Sequence, residues 1–346
     1  MTVVVKLGST LVVDTNGRVR RSLVAARAAE VGDLVRGGEP VCIVSSGAIA
    51  LGLPRLALAR RPSDTSRLQA ASAVGQSRLQ AAWDSALRTA GVEAAQILLS
   101  APDLAERASY VNVRNAFDTL LKLGVVPVVN ENDATATDEI TFGDNDALAA
   151  QVAVLTRARL LVLLTEVDGV YATHPAVPGA ELVADGAAAT DAVLGKGSTL
   201  GRGGMASKIG AARLAAAAGI PSVIASGSGH DVLAPIVAGE RRGTRFAAAD
   251  ADGNSAFKLW LRFGKPVAGR LHVDAGARRA VAEDGASLLA VGVASCEGRF
   301  DPGDALELVG PDGVAFAKGV ASAGAAELAG KPRGVEAVHR DRLVLY

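Results

Sequence analysis

Short, continuously apolar runs set the limits on what this chain can fold into. Val3–Leu7, Val41–Ser45, Gln96–Leu99, Val125–Asn130, Leu160–Thr165 and Ser222–Ala225 are rich in β-branched residues and do not alternate with polar ones. Apolarity without alternation predicts parallel strands covered on both faces. Between the runs lie longer alanine- and leucine-rich stretches with helical character: Leu23–Arg36, Asp64–Ala90, Val111–Leu123, Asp146–Thr156 and Ser207–Ala218. Strand–helix alternation predicts an α/β fold, a doubly wound and mainly parallel sheet.

The pattern changes near Gly243. A small, polar segment, Phe246–Ser255, reads as a linker. Beyond Gly264 helical stretches become scarce. Short β-type runs follow (Arg270–Val273, Leu288–Val291, Ala305–Leu308 and Leu343–Leu345), separated by turns such as Asp301-Pro302-Gly303-Asp304 and Gly310-Pro311-Asp312-Gly313. With 346 residues, about two domains are expected. The boundaries read 1–250 for the α/β domain, 251–264 for a linker and 265–346 for a small, β-rich, barrel-like domain.

Charge excludes some partners. Lys+Arg and Asp+Glu are 36 each, and acidic residues slightly outnumber basic ones from Lys265 to Tyr346. Nucleic-acid binding through a clustered positive field is therefore not expected. Cys42 and Cys296 lie far apart, so there is no disulfide framework and no CxxC motif; both sit in apolar stretches and read as buried small hydrophobes. His174, His230, His272 and His339 never fall at i, i+4 spacing, which excludes an HExxH zinc helix. No apolar run approaches the ~18 residues of a membrane span, and the first residues read as a strand instead of a signal peptide. A cytoplasmic chain without membrane partners is expected.

Ligands of open α/β sheets sit beyond the carboxyl ends of the strands, so the residues that follow each run matter most. After the first come Lys6-Leu7-Gly8-Ser9-Thr10: either a solvated strand-end lysine or an anion site in which backbone N–H groups and a point charge meet phosphate. Ser46-Gly47 follows the second run and suits a simple helix cap as well as a ligand contact. Asn130-Glu131-Asn132-Asp133 and Thr165-Glu166-Val167-Asp168-Gly169 follow two others.

Gly143-Asp144-Asn145-Asp146, close behind Asp138 and Glu139, forms a dense acidic cluster. Asn145 or Asp146 can cap the following helix. Such density otherwise calls for Mg²⁺, a lysine or a substrate ammonium group. Gly201-Arg202-Gly203-Gly204-Met205-Ala206-Ser207-Lys208 is either a flexible surface loop or a phosphate cradle running into a helix N-terminus. It is neither GxxxxGK[ST] nor GxGxxG. His339-Arg340-Asp341 imitates a protein-kinase tripeptide, but the VAIK and DFG signatures are missing.

Taken together, Val4–Ser9, Ile43–Ala50, Val129–Asp133, Gly143–Asp146 and Gly203–Lys208 resemble the amino acid kinase family, specifically its branch acting on the γ-carboxylate of glutamate. The likeness spans nearly the whole chain, and the β-rich tail resembles a PUA domain. It implies ATP as co-substrate, Mg²⁺, L-glutamate as acceptor and γ-glutamyl phosphate as product, the first step of proline biosynthesis. It also implies feedback inhibition by proline, a homo-oligomer and hand-over to a glutamyl phosphate reductase.

The resemblance assigns catalysis to Lys6, Lys208 and Asp146. The lysines and Mg²⁺ neutralise the phosphoryl oxygens and Asp146 holds the lysines. Glutamate falls to Ser46, Asp133, Asn145 and Asp144, with Asp133 or Asp144 facing its ammonium. The nucleotide falls to Lys6, Gly8, Thr165, Glu166, Arg202, Gly203, Gly204, Met205, Ala206, Ser207 and Lys208. The sequence departs from the family pattern at Glu166, where Asp is usual, at Arg202, where a small residue is usual, and in the order Ser9-Thr10. The rival readings are a kinase of acetylglutamate, aspartate or UMP from the same family, and an RNA-binding PUA protein.

Overall fold

The computed structural model describes residues 1–58, 60–135, 145–173, 175–189, 204–249, 256–330 and 332–346. Asp138, Glu139, Gly143, Asp144, Gly201, Arg202 and Gly203 lie outside the described residues, as does most of the polar segment. Two compact units are formed: Met1–Asp103 with Arg107–Ala251, and Leu104–Glu106 with Asp252–Tyr346.

The first unit is built on a seven-stranded sheet of β1 (Val3–Leu7), β2 (Val41–Ser45), β3 (Ala94–Leu99), β4 (Val126–Glu131), β5 (Leu160–Thr165), β6 (Ser222–Ser226) and β7 (Thr244–Phe246). The order is β3-β4-β2-β1-β5-β6-β7. Pairings from β3 to β6 are parallel, as the uninterrupted apolar runs require. β7 runs antiparallel on the edge, just before the polar segment and sharing only Phe246 with it, where the apolar runs predict no strand. Three residues are too few to show a pattern. What fixes them is the fully buried Thr244, whose hydroxyl accepts from Val170 N at 2.8 Å and donates to Val183 O at 2.6 Å.

Strand parity decides which side chains meet which helices. Val3, Val5 and Leu7 of β1 share a core with Val24, Ala28 and Val31 of the Arg21–Arg36 helix and with Leu79, Trp83 and Leu87 of the Thr65–Thr89 helix. Asp64 caps the latter by accepting from Arg67 N, and its buried residues recur every three or four positions, the spacing of one helical face. Val4 and Lys6 have the opposite parity. They face the other layer, where the Asn145–Thr156 helix packs on β1 and against the Met205–Ala217 helix. Parallel registry sets Leu7 level with Ser45 and Leu164, which brings the exits of β1, β2 and β5 to one edge of the sheet.

The second unit holds a six-stranded sheet of β8 (Val267–Val273), β9 (Leu288–Leu289), β10 (Val293–Gly298), β11 (Ala305–Val309), β12 (Ala315–Ala321) and β13 (Glu336–Leu345), in the order β10-β8-β11-β12-β13-β9. Leu271, Leu306, Leu308, Ala317, Leu328 and Val338 lie in its core. The sheet curls as a β-rich half-barrel. Residues Ala256–Leu259, within the stretch read as a linker, are helical, and so is Ala275–Ala282, whose Asp274 cap accepts from Ala277 N. Cys42 is buried as expected; Cys296 is only half-buried, because it sits on the edge strand β10.

Candidate active site

Three charges that are remote in sequence meet at the carboxyl edge of the first sheet. Lys6 Nζ lies 2.6 Å from Asp146 Oδ1, and Lys208 Nζ lies 3.2 Å from Asp146 Oδ2. One carboxylate holds both ammonium groups, and all three side chains are buried, Asp146 to 1 % exposure. Lys6 ends β1, Asp146 opens the Asn145–Thr156 helix, and Lys208 is in the first turn of the Met205–Ala217 helix behind its Gly204 cap. Both helix N-termini add positive potential to that of the lysines. Of the alternatives open for the acidic cluster, Asp146 has lysine partners.

A second cluster lies alongside. Asn145 donates through Nδ2 to Ser46 Oγ and to Asn130 Oδ1, each at 2.9 Å. Asn130 in turn donates to Gln76 Oε1 at 2.7 Å. Ser72 donates to Asp133 Oδ2 at 2.5 Å. Burial pushes the Asp133 carboxyl pKa above its ordinary value, against the pull of the Ser72 bond and the Arg61 charge. Two buried acceptors, Asn145 Oδ1 and Asp133 Oδ1, have no hydrogen-bond partner among the described residues. Unpartnered buried acceptors suit a ligand that brings donors.

Close backbone packing puts this cluster where it is. A Cβ on Gly75 would stand 1.8 Å from Ala48 O, and one on Gly52 would stand 1.8 Å from Ala71 O. The short Ala48–Gly52 helix thus lies directly on the Thr65–Thr89 helix, with Ser72 and Gln76 beside the exits of β2 and β4. Gly47, with φ +121°, makes the turn out of β2 in a conformation that side chains rarely adopt.

Other expected nucleotide contacts lie near the same edge. Gly8 follows β1, and a Cβ there would be 3.9 Å from Lys6 Nζ. Thr165 ends β5 and its carbonyl accepts from Gly227 N at 2.7 Å. Glu166 is exposed and pairs with Arg20 at 3.5 Å. Met205, Ala206 and Ser207 form the first turn behind Gly204. Asp144, Arg202 and Gly203 are outside the described residues.

Sequence reasoning missed Ser72, Gln76 and the role of Asn130. The first two lie mid-helix in an unremarkable run, Leu68–Leu79, and only tertiary contact gives them meaning. Among the described residues, no group of three or more His, Cys, Asp or Glu side chains is arranged to hold a metal ion. Asp146 spends both oxygens on lysines. The described residues therefore do not form a Mg²⁺ cage. Nor is any helix among them long and apolar enough to cross a membrane.

A mainly parallel sheet thus carries two lysines on one aspartate and a glycine-capped helix at its exits. The chain belongs to the amino acid kinase family, whose model matches residues 1–226, and it carries a PUA domain matched over residues 269–340. A glutamate 5-kinase of Sphingopyxis alaskensis is 44% identical, the match covering 99% of this chain and 96% of that protein. One of Acinetobacter baumannii (strain SDF) is 41% identical over the same shares. In fold, the isopentenyl phosphate kinase of T. acidophilum is similar, with TM-score 0.52 and 18% identity over 71% of this chain and 100% of that one.

Proposed function

We propose that this protein transfers the γ-phosphoryl group of ATP to the γ-carboxylate of L-glutamate, giving γ-glutamyl phosphate and ADP. The observation that carries this reading is the single carboxylate of Asp146 holding Lys6 and Lys208, with the unpartnered acceptors of the neighbouring Asn145 and of Asp133. The acceptor carboxylate is already ionised, so no general base is needed. The obstacle is repulsion between an anion and a polyanion. Catalysis is then positioning plus charge compensation at a loose transition state.

In this reading Lys6 and Lys208 meet the transferring phosphoryl oxygens from β1 and from the Met205–Ala217 helix. Asp146 acts as an organiser and takes no proton. Asp133 and Asn145 accept from the α-ammonium, and Ser46, whose oxygen already accepts from Asn145, has its own hydrogen to give to a substrate carboxylate. Gly8, Thr165, Glu166 and the stretch from Arg202 to Lys208, including Gly203, Gly204, Met205, Ala206 and Ser207, receive the nucleotide, and Asp144 completes the glutamate site. Mg²⁺ would arrive with the phosphates and shield their charge.

The unpaired acceptors discriminate against those family substrates that lack an ammonium group. N-acetylglutamate and UMP offer no ammonium group to neutralise Asp133, whereas glutamate does. The names of the relatives support the same substrate. The acyl phosphate product is labile and suits a reductase next in line, as in the first step of proline biosynthesis. The test is ATP with glutamate, aspartate, N-acetylglutamate or UMP, with hydroxylamine present to trap acyl phosphates. Glutamyl hydroxamate is the expected product. Turnover of another acceptor and none of glutamate would overturn the reading.

A further inference from the structure

The hydrogen bonds around Asn145 form a one-way relay, donated from Asn145 to Asn130 and from Asn130 to Gln76 Oε1, where it ends. A side-chain amide presents donors on one side and an acceptor on the other, so each amide in a chain fixes the next. Gln76 Oε1 accepts from Asn130 Nδ2 at 2.7 Å, which turns Asn130 Oδ1 toward Asn145. Asn145 must then donate, and its Nδ2 goes to Asn130 Oδ1 and to Ser46 Oγ. Both of its amide hydrogens are spent. Its carbonyl oxygen is left buried with no partner among the described residues, as is Asp133 Oδ1.

We propose that Gln76 is a positioning residue that fixes the hydrogen-bond polarity of the glutamate pocket, so that Asn145 presents an acceptor to the substrate's α-ammonium. Gln76 does not touch the substrate; it acts through Asn130. Without an acceptor at position 76, Asn130 is free to turn its Nδ2 toward Asn145. Asn145 then turns its oxygen to Asn130, and its N–H groups face the ammonium. The pocket changes from acceptor to donor without changing shape. This inference rests on the proposed reading of the pocket as the glutamate site.

The experiment compares glutamate with glutarate, which has the same carboxylates and no ammonium. It measures the KM for glutamate and the Ki of glutarate as its competitor, in the full-length protein. Wild type is expected to favour glutamate strongly. Gln76→Met, which keeps the length and removes the acceptor, is expected to raise the glutamate KM about tenfold to a hundredfold, the span of a hydrogen bond to a charged group. The Ki of glutarate, kcat and the KM for ATP stay within about twofold, as the interactions lost are with the ammonium alone.

Gln76→Glu keeps an acceptor and is expected to retain the preference. In an Asn130→Asp background, where either carboxylate oxygen accepts from Asn145, Gln76→Met is expected to have no further effect on the ratio. If Gln76→Met retains the preference, or weakens glutamate and glutarate equally, the relay is wrong. A wild-type protein that binds glutarate as well as glutamate refutes instead the ammonium reading beneath it.

Discussion

Asp146 sets one carboxylate oxygen 2.6 Å from Lys6 Nζ in a site where both side chains are almost fully buried. Taking such charges out of water is costly, and a buried ion pair is weak grounds for stability. In the proposed reaction its value is to hold an ammonium group, with that of Lys208 on the other oxygen, where phosphoryl charge would be met. Asp146→Asn keeps the shape and removes the anchor. It is expected to lower kcat by about a hundredfold or more, with smaller changes in both KM values, as measured by steady-state kinetics.

If Asp133 binds the glutamate ammonium as proposed, the site is expected to depend on pH. Burial raises its pKa above that of an ordinary aspartate, and only the ionised form attracts an ammonium group. The KM for glutamate is therefore expected to rise as pH falls through this raised value. Asp133→Asn should raise the KM and abolish that limb of the profile, with kcat changed less. Stability runs the other way. Folding favours the protonated carboxyl, so unliganded wild type is expected to lose stability relative to Asp133→Asn as pH rises from the ordinary aspartate value through the raised one.

Two glycines with helical neighbours separate packing from propensity. A Cβ on Gly75 meets backbone at 1.8 Å, whereas one on Gly210 meets nothing within 4 Å. Gly75→Ala is expected to cost about 1–3 kcal/mol by forcing the two helices apart, and to raise the glutamate KM as Ser72 and Gln76 shift. Gly210→Ala is expected to stabilise by about 0.5–1 kcal/mol. Urea denaturation measures both.

Arg27 ties the segment after β6 to the Arg21–Arg36 helix. Its fully buried guanidinium donates to Glu30 Oε1 and to Gly229 O, each at 2.7 Å, while Glu30 accepts from Val232 N and Leu233 N. Burial lowers the pKa of Arg27, against the pull of Glu30 and Asp231. Arg27→Met removes the bonds to Glu30 and to Gly229 O, while Glu30 keeps its two backbone donors, and is expected to cost about 1–3 kcal/mol in chemical denaturation. Because Gly227 N in this segment bonds Thr165 O, the KM for ATP should rise more than that for glutamate.

The first sheet was legible because five of the six runs, those of β1, β2, β4, β5 and β6, are buried on both faces and cannot hide their apolarity, whereas β3 is a half-exposed edge strand. β7 was not, since its burial comes from Thr244 and Phe246 packing that three residues do not advertise. β12 was missed for another reason. Its Ala, Gly and Lys residues carry little strand preference, and Gly319 is needed where a Cβ would meet Val338 at 2.3 Å. In the site, Lys6, Asp146 and Lys208 were visible as charges placed at element ends. The polarity of the pocket was not, because Gln76 and Ser72 acquire it only from partners on β4 and just after it.

The convergence of Lys6 and Lys208 on one phosphoryl group is tested most directly by a double-mutant cycle. It measures kcat for glutamate-dependent acyl phosphate formation in Lys6→Met, Lys208→Met and the double variant. Each single change is expected to lower kcat by about a hundredfold, and the pair by distinctly less than the product, since neither lysine works fully without the other. Wild-type turnover in either single variant, or losses that simply multiply, would contradict a shared site.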